Sequence, residues 1–177
     1  NFTRTGTGNT LFNYQNTTPA TASKIVTFNH TSTGTISFLD SAYVLTANIS
    51  SNILTRRNIR FGVWNLLGGP SKSYTLASNK IMYIDSSLTI SSGDCNGMIN
   101  LNSDTVGRQS TISMRSGTGN VSLNYANLRG VIMSGSGTYS ASDVIDLGNN
   151  SGWSITTLTS HDYYWIGGTG NWNDGSH

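Results

Sequence analysis

The side chains able to do chemistry are few and spread along the chain. All eight acidic residues are aspartates: Asp40, Asp85, Asp94, Asp104, Asp143, Asp146, Asp162 and Asp174. A polysaccharide lyase or hydrolase needs two or three carboxyl groups converging on one face, to supply acid, base or metal ligation. Asp85, Asp94 and Asp104 recur at near-regular intervals, so successive strands could bring them to one groove. Each sits beside Ser or Gly, however, which is the company of solvated turn residues. His30, His161 and His177 have no acid and nucleophile around them, and the adjacent His161 and Asp162 would point to opposite sides of a strand. The single cysteine, Cys95, can form no disulfide within the chain and no zinc site of the usual spacing, and reads as a small apolar residue.

Other motifs are equally bland. Thr5-Gly6-Thr7-Gly8-Asn9 and Gly117-Thr118-Gly119-Asn120 contain Gly-x-Gly, but neither opens a helix or is followed by Lys, so they are turns and not phosphate cradles. No calcium-binding loop of the EF-hand or Gly-Asp nonapeptide type occurs. Arg56, Arg57 and Arg60 form the only basic cluster, without interleaved stacking aromatics, and read as a solvated strand face or turn, not a nucleic-acid patch. Tyr14, Tyr43, Trp64, Tyr74 and Tyr139 could stack on sugar rings, though core or edge packing explains each as well. These residues imply no enzyme, no cofactor and no metal.

The elements that would position these groups are strands. Gly, Ser, Thr and Asn make up about half of the 177 residues, charged residues only 10%, and Glu is absent. Helix-facing residues are scarce, whereas Thr, Val, Ile, Tyr and Phe, which suit a pleated surface, are plentiful. A net charge of +2 with 36% apolar residues argues against disorder. No apolar run reaches ~18 residues, so no helical membrane span is expected. Short strand-like runs recur at Ile25–Phe28, Ile36–Leu39, Tyr43–Leu45, Ile59–Trp64, Ile81–Ile84 and Leu88–Ile90. They continue at Met98–Leu101, Ile112–Met114, Val121–Tyr125, Val131–Met133 and Val144–Leu147. Gly- and Asn-rich clusters at 31–34, 68–71, 91–94, 115–120 and 134–137 separate many of them. The best helical candidate, Ser51–Arg57, is short, β-branched and lacks a capping box.

This pattern predicts an all-β fold. Very short strands, Asn, Ser and Thr at the bends and aliphatic inward positions favour a right-handed parallel β-helix, or solenoid, over residues 1–160. An antiparallel β-sandwich is the alternative with a similar strand spacing. Residues 161–177 read as a junction and the start of a next module, as in a chain excised from a longer one.

The last third carries the most distinctive motifs. Gly148-Asn149-Asn150-Ser151-Gly152-Trp153 is followed by Tyr164-Trp165-Ile166-Gly167-Gly168-Thr169-Gly170-Asn171-Trp172-Asn173-Asp174. This order resembles the repetitive β-helix modules of giant Bacteroidota surface adhesins, including those linked to gliding motility and exported by the type IX system. In that family the first element ends one module and the second opens the next. The resemblance covers roughly residues 95–177, and no type IX sorting domain is present in the sequence. It implies a secreted, cell-surface location and makes Asn149, Trp153, Trp165, Gly167, Gly168, Gly170 and Trp172 junction residues. Physically, the glycines permit tight turns at which the Trp rings fold back on the preceding core. Asp40-Ser41-Ala42 and Asp104-Thr105-Val106 resemble the short O-glycosylation signal of the same phylum, which makes Ser41 and Thr105 candidate glycosylation sites.

The expected function is therefore a non-catalytic structural or adhesive module of a surface adhesin or filament. Its partners would be neighbouring modules of the same parent chain and surface polysaccharide or glycans, with no nucleic acid and no membrane span. A carbohydrate-binding module is the second reading and a polysaccharide-degrading β-helix enzyme the third.

Overall fold

A computed structural model describes residues 2–12, 25–39, 43–94, 96–115 and 119–158. It contains sixteen strands and, among the described residues, no helix. They are β1 (Phe2–Arg4), β2 (Thr10–Phe12), β3 (Ile25–His30), β4 (Thr35–Phe38), β5 (Tyr43–Ile49), β6 (Asn52–Thr55), β7 (Ile59–Leu66) and β8 (Ser73–Leu76). The series continues with β9 (Ile81–Ile90), β10 (Ile99–Ser103), β11 (Ser110–Met114), β12 (Asn120–Asn124), β13 (Ala126–Arg129), β14 (Val131–Gly135), β15 (Thr138–Asp146) and β16 (Ser154–Thr157). Alternation makes them strands: in β10, Ile99, Leu101 and Ser103 are buried while Asn100 and Asn102 are only half-buried. The doubtful segment 51–57 is β6 and the turn after it.

The strands form two sheets. One runs β1-β3-β5-β7-β9-β11-β14; the other is nine-stranded, running β12-β15-β13-β10-β8-β6-β4-β2 with β16 beside β15. Every pairing between these strands is parallel. This overturns the antiparallel β-sandwich. No two of these strands are joined as a hairpin. From β1 to β12 each strand is followed by one in the other sheet, so two hydrogen-bonded neighbours are separated by a strand across the core. A parallel pair needs such a crossover, and here a strand fills the place that a helix commonly takes.

Inward side chains stack in columns. Ile36, Ile53, Tyr74, Leu101 and Leu128 follow one another in register across the nine-stranded sheet. Phe28, Ala47, Trp64 and Leu88 do so across the other. Ala47 lies between two rings, so small and large residues alternate and the column fills without overcrowding. Phe38 joins the sheets, its ring 5.8 Å from Phe28 and 5.9 Å from Phe61. Phe61 stacks on Trp64 at 4.6 Å. The result is one contiguous core shared by both sheets.

Polar columns run along the strands as well. Asn48 donates to Asn29 Oδ1 and Asn65 to Asn48 Oδ1, each at 2.8 Å, across sequence separations of 19 and 17 residues. Asn127 donates to Asn100 Oδ1, also at 2.8 Å, across 27 residues. The stacked amides lie on the strands, near their ends, and not at the bends where the sequence suggested them. Each satisfies donors and acceptors of the next, as a repeated polar ladder must.

One irregularity matters for the surface. Phe61 pairs with Ile84 but Val63 pairs with Ser87, so β9 carries an extra residue opposite Gly62. Such a bulge bends the strand and re-aims its side chains. A Cβ on Gly62 would lie 2.4 Å from the Leu45 carbonyl oxygen, which leaves no room for any other residue there.

Candidate functional site

The three spaced aspartates do not converge. Asp85 is on the outer face of β9, where its carboxylate holds Arg60. Asp94 accepts from the backbone N–H groups of Asn96 and Gly97, both at 2.9 Å, and so closes its own turn. Asp104 follows β10 and accepts from Ser78 N–H at 2.9 Å and Thr105 hydroxyl at 3.0 Å. Burial alone would raise the Asp104 pKa, but these bonds, the Ser78 side chain and the Arg56 guanidinium outweigh it and hold it low. Among the described residues no three of His, Cys, Asp or Glu gather into a metal-binding group.

Among the described residues, His30 is a buried titratable side chain with hydroxyl neighbours. It lies 2.7 Å from Ser51 Oγ through Nδ1 and 2.8 Å from Thr10 Oγ1 through Nε2. Both His30 and Ser51 are completely buried, so the hydroxyl meets no substrate. Burial, and then the charge of Arg4, lower the His30 pKa. The arrangement ties β2, β3 and the residue before β6 together and has the chemistry of a core hydrogen-bond network.

The aromatic candidates divide sharply. Trp64 and Tyr74 are fully buried and Tyr139 nearly so, which removes all three as sugar-stacking residues. Tyr74 instead accepts a bond from Gly68 N–H at 3.2 Å, and its burial raises its pKa. Tyr14 lies outside the described residues. Tyr43 alone keeps part of its ring at the surface.

Tyr43 belongs to an array of charged and aromatic groups on the described surface. In register across β5, β7 and β9, Tyr43 pairs with Arg60 and Arg60 with Tyr83. The Arg60 guanidinium lies 5.0 Å from the Tyr43 ring centroid, and that of Arg115 lies 5.7 Å from the Tyr83 centroid. Asp85 accepts from Arg60 Nε at 2.8 and 3.0 Å and stands 3.8 Å from Arg115 Nη1. The bond to Asp85 raises the Arg60 pKa further. Strand spacing and the β9 bulge thus place two guanidinium groups around one carboxylate and against two phenol rings. Arg115 and Tyr83 were not singled out from sequence, because nothing local marks residues that meet only through strand register.

A second constructed region is the segment after β15. Asn150 Oδ1 accepts from Val131 N–H at 2.9 Å, and its amide donates to the Leu128 carbonyl at 2.9 Å and to Asp146 at 2.7 Å. Asn149 adopts φ 60° and its carbonyl accepts from Gln109. Trp153 packs on the core, donates to the Val131 carbonyl at 3.2 Å and meets Tyr139 edge-on at 6.5 Å. The segment therefore lies along β14, the last strand of its sheet. Trp165, Gly167, Gly168, Gly170, Trp172 and Ser41 lie outside the described residues. Thr105 opens a turn in which Arg108 N–H donates to its carbonyl, Gly107 takes φ 79° and Val106 is 74% exposed.

No protein-family model, no curated protein and no solved structure matches the chain.

Proposed function

We propose that this chain is a non-catalytic module of an extended, secreted cell-surface adhesin or filament, wound as a right-handed parallel β-helix. One observation carries the reading: from β1 to β12 successive strands alternate between two sheets in which every strand pairing is parallel, and inward residues stack in continuous columns. Crossovers between parallel strands of one sheet are right-handed in nearly all proteins, which supplies the hand. In such a stack the backbone ladders run uninterrupted from layer to layer, and force applied along the axis is shared by every ladder. The surface location draws on the resemblance of Gly148–Trp153 and Tyr164–Asp174 to adhesin modules and on a surface made soluble by neutral polar groups. The partners in this reading are neighbouring modules, with the segment through Asn149 and Trp153 as the seat of the junction.

Pulling tests the architecture. A stack in which each layer contacts only its neighbours can lose end layers separately. The chain held by its two ends should lengthen in several small steps, each releasing about one layer. Release of the whole chain in one step would overturn the proposal. Turnover of a polysaccharide, lost on Asp85→Asn, would overturn its non-catalytic part.

A further inference from the structure

We infer that the outer face of the seven-stranded sheet binds an acidic polysaccharide, with Arg60 and Arg115 gripping carboxylates beside Tyr43 and Tyr83. This adds a ligand to the scaffold reading and does not depend on it.

The argument begins with unused donors. Arg60 meets Asp85 through Nε, and among the described residues the two Nη groups of Arg60 donate to no protein acceptor. Arg115 meets Asp85 only at 3.8 Å, beyond hydrogen-bond length, and its guanidinium is likewise without a hydrogen-bond acceptor there. Their side chains are 46% and 47% exposed. A guanidinium fork is shaped for bidentate carboxylate recognition, and Arg60 is held in place in advance by Asp85 and the Tyr43 ring, with Arg115 resting near Asp85 and over Tyr83. For Arg60 little side-chain freedom is therefore lost on binding.

The spacing suits a polymer. Arg60 is on β7 and Arg115 directly follows β11, with β9 between them, so their backbones are two strand steps apart, about 10 Å along the sheet, while both guanidinium groups lean in toward Asp85. The same row continues through Ser113 and Ser134, short hydroxyls that leave the surface flat. The ring faces of Tyr43 and Tyr83 are turned to the guanidinium groups, which disfavours recognition by stacked bases. A nucleic acid would also call for a dense basic stripe, whereas here one carboxylate offsets one of the two arginines. A glycan with spaced carboxylates fits both the positive excess and the hydrogen-bonding surface.

The test is native affinity electrophoresis of the chain in gels containing sodium polygalacturonate, its methyl ester or a single-stranded oligonucleotide. Polygalacturonate should retard the protein and the uncharged ester should not. Arg60→Gln with Arg115→Gln should weaken retardation about tenfold or more for each arginine. Lys72→Gln with Arg108→Gln, which removes the same charge elsewhere, should leave it intact. Arg115→Gln alone keeps the test readable if the double variant loses its β circular-dichroism spectrum. Absence of retardation, equal loss in the charge-matched control, or tighter binding of the oligonucleotide would each overturn the inference. None of these outcomes would alter the stepwise lengthening that tests the scaffold.

Discussion

The two outermost strands of the seven-stranded sheet are finished in different ways. At β1, Phe2 stacks 4.9 Å from Phe28 but stays 38% exposed, and all three residues of the strand face solvent. At β14, the segment from Asp146 to Trp153 supplies backbone and side-chain partners to Leu128, Val131 and Met133 and lays an indole over the core. A ring covers apolar surface only, whereas a bonded segment also satisfies the polar edge of a strand. An exposed edge invites pairing with other chains, so the β14 end is the protected one.

The contrast can be broken most severely at Gly152. Its φ is 77°, and a Cβ there would sit 2.0 Å from the Met133 carbonyl oxygen. Gly152→Val should cost about 3 kcal/mol or more in urea denaturation. A neutral result would show that the segment does not rest on β14. Trp153→Ala should come next, at about 2 kcal/mol, because the indole is partly buried and loses both its carbonyl bond and its contact with Tyr139.

A pH experiment probes the β1 end through His30. Its pKa is lowered from the ordinary 6.5 in the folded chain, by burial first and by Arg4 second. The unfolded chain therefore takes up the proton first as pH falls. Stability should be full above pH 6.5 and should decline below it, by about 1.4 kcal/mol per pH unit until the folded value is reached. His30→Gln should flatten that slope in denaturation midpoints measured at successive pH values. An unchanged slope would assign the pH dependence elsewhere. Phe2→Ala should have the smallest effect, under about 1 kcal/mol, since its ring is partly exposed. A loss as large as that of Trp153→Ala would erase the difference between the ends.

Much of this strand content was legible because inward residues alternate. The runs at Ile36, Ile59 and Ile112 became β4, β7 and β11. Ile81–Ile84 and Leu88–Ile90 looked like two strands because the polar Asp85-Ser86-Ser87 interrupts them, yet β9 is continuous across its bulge. Ser73–Leu76 and Ala126–Arg129 leave little signal, being only four residues long with two inward positions each. Asn149 takes a positive φ, a conformation that Asn tolerates. The array around Asp85 could not be read from the sequence. Tyr43, Arg60 and Tyr83 come from different strands and Arg115 from the residue after a fourth, and intervals of 17 to 27 residues between stacked asparagines leave no constant period from which register could be counted.

Those unequal intervals have a practical side. The amides of Asn48 and Asn65, and of Asn100 and Asn127, meet at the same 2.8 Å although 17 residues intervene in one case and 27 in the other. Extra chain is thus spilled outward into bends, such as the one tipped by Val106, and the ladder is indifferent to how much is spilled. A guest peptide spliced there would ride on the surface like a pennant on a mast, making the protein a display platform whose cargo can change length without retuning the frame.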